Sequence, residues 1–265
     1  MLCQKHVYCR ALLSKGSQLK LEANNVTHTV YLLAGTMCSA RMFHPLTATL
    51  TNVGYNTQTI AFSTEKSIDD MVQHCRKIIT QPAIILGFSM GGMVALELAK
   101  QCPTLIQGLI LLSSNSHADA PGRAEIRNQH IVQAKQQGLE DVIKHFYLPN
   151  YLYQPTTQIE QQIIAMATDL GLACFESQLM ALATRADSLD VISKLSRPLL
   201  LIAGKNDRLC PEQEQYKMHN ALQDSTLCLI DQCGHFPIYE QPQQTCASIT
   251  DWLTTHFDTR QNNDL

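Results

Sequence analysis

Ser89 lies in Gly87-Phe88-Ser89-Met90-Gly91-Gly92, between an unbroken apolar run, Ala83–Phe88 (AIILGF), and a helical pattern that follows from Gly91 to Gln101. A G-x-S-x-G pattern at a strand-to-helix turn holds a serine in a sharp, strained backbone, and the residues two places either side must be tiny for the chain to pass. The helix behind the serine presents free N–H groups and a positive dipole end, which stabilise an oxyanion. The amide of Met90 is therefore one predicted donor. With 12 Gly and 15 Ser in 265 residues, roughly 0.03 chance matches to this pattern are expected, before its flanks are considered.

A serine hydroxyl is a weak nucleophile until an adjacent base takes its proton, and the base needs an acid to fix its tautomer. Of ten histidines, His235 stands out, in Asp231-Gln232-Cys233-Gly234-His235-Phe236-Pro237 just after the predicted last strand. The others sit at element starts, on helical patterns, in the middle of the chain or, for His6, near the N-terminus, and read as solvated or hydrogen-bonded imidazoles. Asp207, in Ala203-Gly204-Lys205-Asn206-Asp207, is the preferred acid because it directly follows a core strand. Asp231 is the rival, with a turn-forming role as its plainer reading. The chain order Ser89, Asp207, His235 is the one expected for an acyl-transfer site on an α/β sheet. A second oxyanion donor is expected from Leu33-Ala34-Gly35-Thr36-Met37-Cys38, with the amide of Thr36 preferred and that of Met37 as the alternative. No metal, nucleotide or flavin motif is evident, and no cofactor is expected.

The elements that must position these residues alternate strand and helix. Strands are predicted at His28–Ala34, Thr57–Phe62, Ala83–Phe88, Gly108–Leu112, Leu199–Ala203 and Thr226–Ile230. Helices are predicted at Ser67–Ile79, with Ser67 as N-cap, at Gly91–Gln101, and at Gln241–Phe257 with Pro242 in its first turn. Such alternation implies parallel βαβ units in an α/β fold. Residues 114–195 break the rhythm with helical patterns, for example Glu125–Gln137 and Gln158–Asp169. They are expected to form a helical cap inserted in a core made of 1–113 and 196–265, over the carboxyl ends of the strands where ligands bind in open parallel sheets.

The stretches LLAGT (32–36), GFSMGG (87–92), LLLIAGKNDRLCP (199–211) and DQCGHFPIYEQP (231–242) resemble the α/β-hydrolase superfamily, in its compact capped branch of esterases, enol-lactonases and perhydrolase relatives. The resemblance implies an α/β-hydrolase fold, with a mostly parallel central sheet and helices on both faces. It implies Ser89 as nucleophile, Asp207 as acid, His235 as base, and the amides of Thr36 and Met90 as the oxyanion hole. The His-Gly that usually precedes the oxyanion loop is Ala34-Gly35 here, which leaves one supporting hydrogen bond of that loop open. The family's N-terminal hairpin is not clear in residues 1–27. A serine at position 89 disfavours the epoxide-hydrolase and dehalogenase branches, which use an aspartate.

The formal net charge of −3 and a pI near 6.3 give no electrostatic footprint for nucleic acid or an anionic membrane. The ten cysteines are scattered without a C-x-x-C pair, and the N-terminus shows no sustained apolar signal region, so a reducing, cytoplasmic setting is expected. Residues 1–21, which lack acids, also fit a weak targeting segment. No membrane-spanning helix is expected. The tail from Asp258 to Leu265 is expected to fray.

Between Asn115 and Leu195 there are six Lys/Arg and nine Asp/Glu, a balance that argues against an acidic carrier protein or a polyanionic substrate. The aromatics of His145–Tyr153 either wall an acyl pocket or pack the cap onto the core. Arg185 and Asp187 are expected to tie cap to core through an ion pair. Cys38, Cys210 and Cys233 are expected as apolar lining. The functional expectation is a serine hydrolase of small carboxylic esters, thioesters or lactones. The alternatives are the same triad used on carbon–carbon bonds or eliminations, and a non-catalytic binding module on this fold.

Overall fold

A computed structural model describes residues 28–222 and 224–257. The expectations for residues 1–27 and 258–265 lie outside the described residues. Six strands form one parallel sheet, in the order β2-β1-β3-β4-β5-β6: β1 (Thr29–Leu33), β2 (Asn56–Ile60), β3 (Ala83–Phe88), β4 (Ile106–Leu112), β5 (Leu199–Gly204) and β6 (Thr226–Ile230). Each lies within two residues of its predicted bounds. Every side chain of β3 and β5 is buried, because helices cover both faces and an apolar run has no solvent side to alternate with. Parallel register brings Leu33 beside Gly87 and Phe88 beside Leu112, so the strands end at a common edge.

The helices of the core are α1 (His44–Asn52), α2 (Ile68–Ile78) and α3 (Met90–Gln101). Helix α2 has the N-cap expected from the sequence: Ser67 Oγ accepts from the Asp70 amide at 3.0 Å. Asp69 and Asp70 in its first turn and Arg76 and Lys77 in its last complement the helix dipole. Its apolar face (Ile68, Met71, Val72, Cys75) is buried in one cluster with Val94, Ala95 and Leu98 of α3. Helix α1 and the 3-10 turn before it, Ala40–Phe43, were not expected; Leu46 and Leu50 bury against the opposite face of the sheet.

Between β4 and β5 the described residues contain helices and no strand. These are α4 (Arg123–Gln137), α5 (Leu139–Val142), a π-helical turn (Ile143–Tyr147), α6 (Leu148–Tyr151), α7 (Thr157–Ala183) and α8 (Leu189–Ser193). The pattern read at Gln158–Asp169 is the first half of α7, which continues past Gly171 (φ 78°, ψ 173°). By length and composition α7 is apolar enough to cross a membrane. Its Ile163, Met166, Cys174, Phe175 and Leu179 are instead buried in the core. After β5 come α9 (Glu212–Ala221), the short α10 (Pro237–Glu240) and α11 (Pro242–Phe257), with Pro242 in its first turn as expected.

Candidate active site

Ser89 follows the last residue of β3 at φ 50°, ψ −115°, outside the helix it introduces. A Cβ at Gly87 would lie 2.4 Å from the Gly91 carbonyl oxygen, and one at Gly91 would lie 2.1 Å from that of Leu33. Both motif glycines are thus required by close backbone passage, and the turn is locked further by the Ser89 amide donating to Leu112 O and by Ser114 Oγ donating to Ser89 O.

The loops after β5 and β6 bring two partners to this turn. His235 Nε2 lies 3.0 Å from Ser89 Oγ, and His235 Nδ1 lies 2.8 Å from Asp207 Oδ2. The imidazole is buried (2% exposed), between the rings of Tyr151 (5.6 Å, 22°) and Phe88 (5.3 Å). The other Asp207 oxygen accepts from the amides of Leu209 and Cys210. Burial raises the Asp207 carboxyl, but His235 and these amides outweigh it and hold the group below the ordinary carboxylate range. Asp231 points elsewhere: it is exposed and pairs with Lys205 at 2.6 Å.

Thr36 and Met90 lie side by side, with Thr36 Oγ1 3.7 Å from the Met90 sulfur. The Met90 amide opens α3, so no carbonyl of its own helix stands behind it. The alternative donor, Met37, is spoken for. Its amide donates to Gln178 Oε1 at 2.7 Å, while Gln178 Nε2 donates to Phe62 O at 2.6 Å. Gln178, fully buried on α7, therefore holds the loop after β1 in place, with Met37 at φ 55°. It occupies the support left open by Ala34-Gly35. Its only sequence signal is a glutamine on the buried face of a helix, between Cys174 and Ala181. Glu240 is a second unread tie: its Oε1 accepts from the amides of Gly234 and Phe236, and its Oε2 from that of Tyr153.

Ser89 and His235 open into a cavity of about 610 Å³ whose lining includes Phe88, Phe146, Tyr147, Tyr151, Leu209 and Phe236. Of the aromatics of 145–153, Phe146, Tyr147 and Tyr151 line the cavity and Tyr151 also packs against Phe236 in the core, while Tyr153 is exposed. Of the three cysteines expected as lining, Cys210 lines the cavity, whereas Cys38 and Cys233 are buried and are not among its lining residues. Burial pushes all three thiols far up. Asp207, Cys210 and His235 set three ligand-type atoms within 4.8 Å of one another. The histidine and carboxylate are spent on each other, and a thiol held protonated is a poor ligand.

The expected Arg185–Asp187 pair does not form. Asp187 instead accepts from the Leu189 amide, closing the turn into α8. Arg185 lies 3.3 Å from Asp119, which also takes a two-point contact from Arg127 at 2.7 and 2.5 Å. The Arg127 hydrogen bond, with further help from Arg185 and Arg123, holds the Asp119 carboxyl below its ordinary value.

Residues 58–242 match the model of a family described as serine aminopeptidase, S33. A pimeloyl-[acyl-carrier protein] methyl ester esterase of Neisseria meningitidis serogroup A is 28% identical over 186 residues, 68% of this chain and 60% of that protein's length. A thermophilic esterase from Thermogutta terrifontis superposes with a TM-score of 0.78 at 22% identity, covering 86% of this chain and 90% of the other. MenH from S. aureus superposes with a TM-score of 0.80 at 21% identity, covering 89% and 97%. At these identities the two structures share the fold.

Proposed function

The chain belongs to the serine aminopeptidase S33 family of α/β hydrolases, and from that premise we propose that it cleaves small carboxylic esters, thioesters or lactones through an acyl-enzyme. The observation that carries the reading is the hydrogen-bonded series Asp207–His235–Ser89 at the floor of a cavity. Ser89 Oγ attacks the acyl carbon as His235 Nε2 takes its proton. Asp207 keeps the remaining proton on Nδ1 and stabilises the imidazolium. The amides of Thr36 and Met90 receive the oxyanion. The alcohol leaves with the proton from His235, and water, activated by the same nitrogen, releases the acid. Residues 114–195 act as a cap on the core of 1–113 and 196–265.

Two further points favour esters. The Neisseria relative is named for a methyl ester. An aminopeptidase must hold the α-ammonium of its substrate, which calls for a carboxylate, and among the described residues the cavity lining contains arginines and no acidic residue.

The test is labelling by a fluorophosphonate, read by intact mass, on the wild type and on Ser89→Ala. One adduct on the wild type that disappears in the variant is the expected result. An unlabelled, folded wild type, or an adduct that survives in Ser89→Ala, overturns the assignment.

A further inference from the structure

Four arginines, Arg123, Arg127, Arg185 and Arg208, line the same cavity as Ser89 and His235, together with His117 and His130, and among the described residues no Asp or Glu lines it. The charge balance of the inserted segment runs the other way, yet six of its nine acids are exposed, and none reaches the lining. Net charge read along the sequence therefore has the wrong sign for the cavity itself.

The cations are also under-compensated where they are least hydrated. The side chains of Arg127, Arg185 and Asp119 are only 10%, 9% and 11% exposed. One carboxylate is shared between two guanidinium groups, which leaves one positive charge in excess in a poorly hydrated wall. Burying an unpaired charge is costly, and proteins retain it where a partner arrives to neutralise it. Arg185 spends Nε on His117 O, and Arg208 spends one nitrogen on Pro149 O, so each keeps further N–H groups for a ligand. Burial first, then Arg123 and Arg127, push the His130 imidazole down, so it adds no charge of its own near neutrality.

We propose that this arginine wall is a carboxylate-binding subsite, and that the substrate is an ester carrying a second, free carboxylate. The proposal rests on the esterase reading above, because it names the substrate of that site. One carboxylate brings the Arg127–Asp119–Arg185 group to neutrality and matches the two-point geometry of a guanidinium.

The test compares two matched ester pairs, monomethyl glutarate against methyl pentanoate and 4-acetoxybutanoate against butyl acetate, which put the carboxylate on the acyl or the alcohol side. The expected result is a kcat/KM at least about tenfold higher for the charged member of one pair, because a hydrogen bond to a charged group is stronger than one between neutral groups. That ratio falls about tenfold in Arg127→Gln and, at an exposed position that carries little of the fold, in Arg123→Gln. Thermal shift by free glutarate, read beside inorganic phosphate, is the second measurement and does not depend on turnover. Glutarate raises the melting temperature of the wild type more than phosphate does, and loses that effect in both variants. A charge ratio at or below one in both pairs, a ratio unmoved by either variant, or a shift larger for phosphate than for glutarate overturns the proposal. Turnover of neutral esters with no glutarate effect sinks the subsite alone. A glutarate effect lost in the variants, with no ester turned over, sinks the esterase reading and leaves the anion site standing.

Discussion

The sheet edge and the inserted helices build one site by opposite means. At the sheet edge, Ser89, Asp207, His235 and Thr36 all stand on loops that leave parallel strands at the same end, so their placement follows from register and from short connections. The inserted helices contribute no member of the hydrogen-bonded series. They contribute what surrounds it: Gln178 on the loop after β1, Tyr151 against the imidazole, and Arg127 and Arg185 in the cavity wall. The edge is rigid because backbone passes backbone without room for a methyl group. The insert packs into the core through apolar residues such as Phe175 and reaches the edge through a few hydrogen bonds, so changes in those bonds should tune rather than abolish activity.

That contrast can be broken or sharpened in order of expected effect. Asp207→Asn, at the edge, should lower kcat about 10⁴-fold with the fold retained by circular dichroism, because the imidazole loses the partner that sets its tautomer. A loss below tenfold would remove Asp207 from the series. Gln178→Met, in the insert, leaves the Met37 amide unpaired in the core and the Phe62 carbonyl with the Cys174 thiol as its remaining donor. It should lower kcat roughly 10- to 100-fold with little change in KM, the pattern of a displaced oxyanion loop, and cost about 1–3 kcal/mol of stability. An unchanged kcat beside lowered stability would make Gln178 a structural tie only. Glu240→Gln removes one acceptor from three amides that join the His235 loop to Tyr153. Denaturant titration should show a loss of about 1–2 kcal/mol, with a smaller fall in kcat than Gln178→Met gives.

The smallest effect is the pH dependence of Asp119→Asn. The folded-state carboxyl is held below its ordinary value by the Arg127 hydrogen bond first. Its contribution to stability is therefore complete above the unfolded value, near pH 4, and is lost as pH falls through the lower folded value. Wild type and variant should differ in melting temperature at pH 7 and converge as pH falls below the lowered folded value. A constant difference across that range would show that packing, and not the charge, is what the substitution removes.

The same contrast explains what was legible in the sequence. Continuous apolar runs bounded by turn residues marked β3, β4 and β5, because a strand covered on both faces has no alternation to hide it, while the edge strand β2, with its polar Asn-Thr-Gln-Thr run, gave a weaker signal. The serine turn was legible because its glycines are a steric requirement that composition rarely meets by chance. The choice between Asp207 and Asp231 followed from the end of a strand, and the structure brings Asp207 to His235 and gives Asp231 to Lys205. The insert was legible as helices but not as contacts. Arg185 meets Asp119 across a gap of many residues instead of its near neighbour Asp187, which is used as a helix-entry acceptor. The insert's negative balance concealed a positive cavity, because a sum along the chain does not know which side chains face inward. Helix α1 was unread because its apolar positions, Leu46 and Leu50, are few and follow a proline at its start.

His235 gives its own backbone N–H to the Tyr151 carbonyl at 2.6 Å, and Met37 gives its N–H to Gln178. Both acceptors come from the insert, although both donors belong to the sheet edge. A graft that exchanges residues 114–195 for those of a relative therefore transplants more than a substrate pocket. It removes the acceptors that hold the His235 backbone and the loop after β1, unless the incoming segment supplies a carbonyl at the place of Tyr151 and a side-chain oxygen at that of Gln178. Chimeras joined only at the ends of β4 and β5 should fold around the sheet and turn over slowly, and restoring those two acceptors should recover the rate without changing the preference the graft brought.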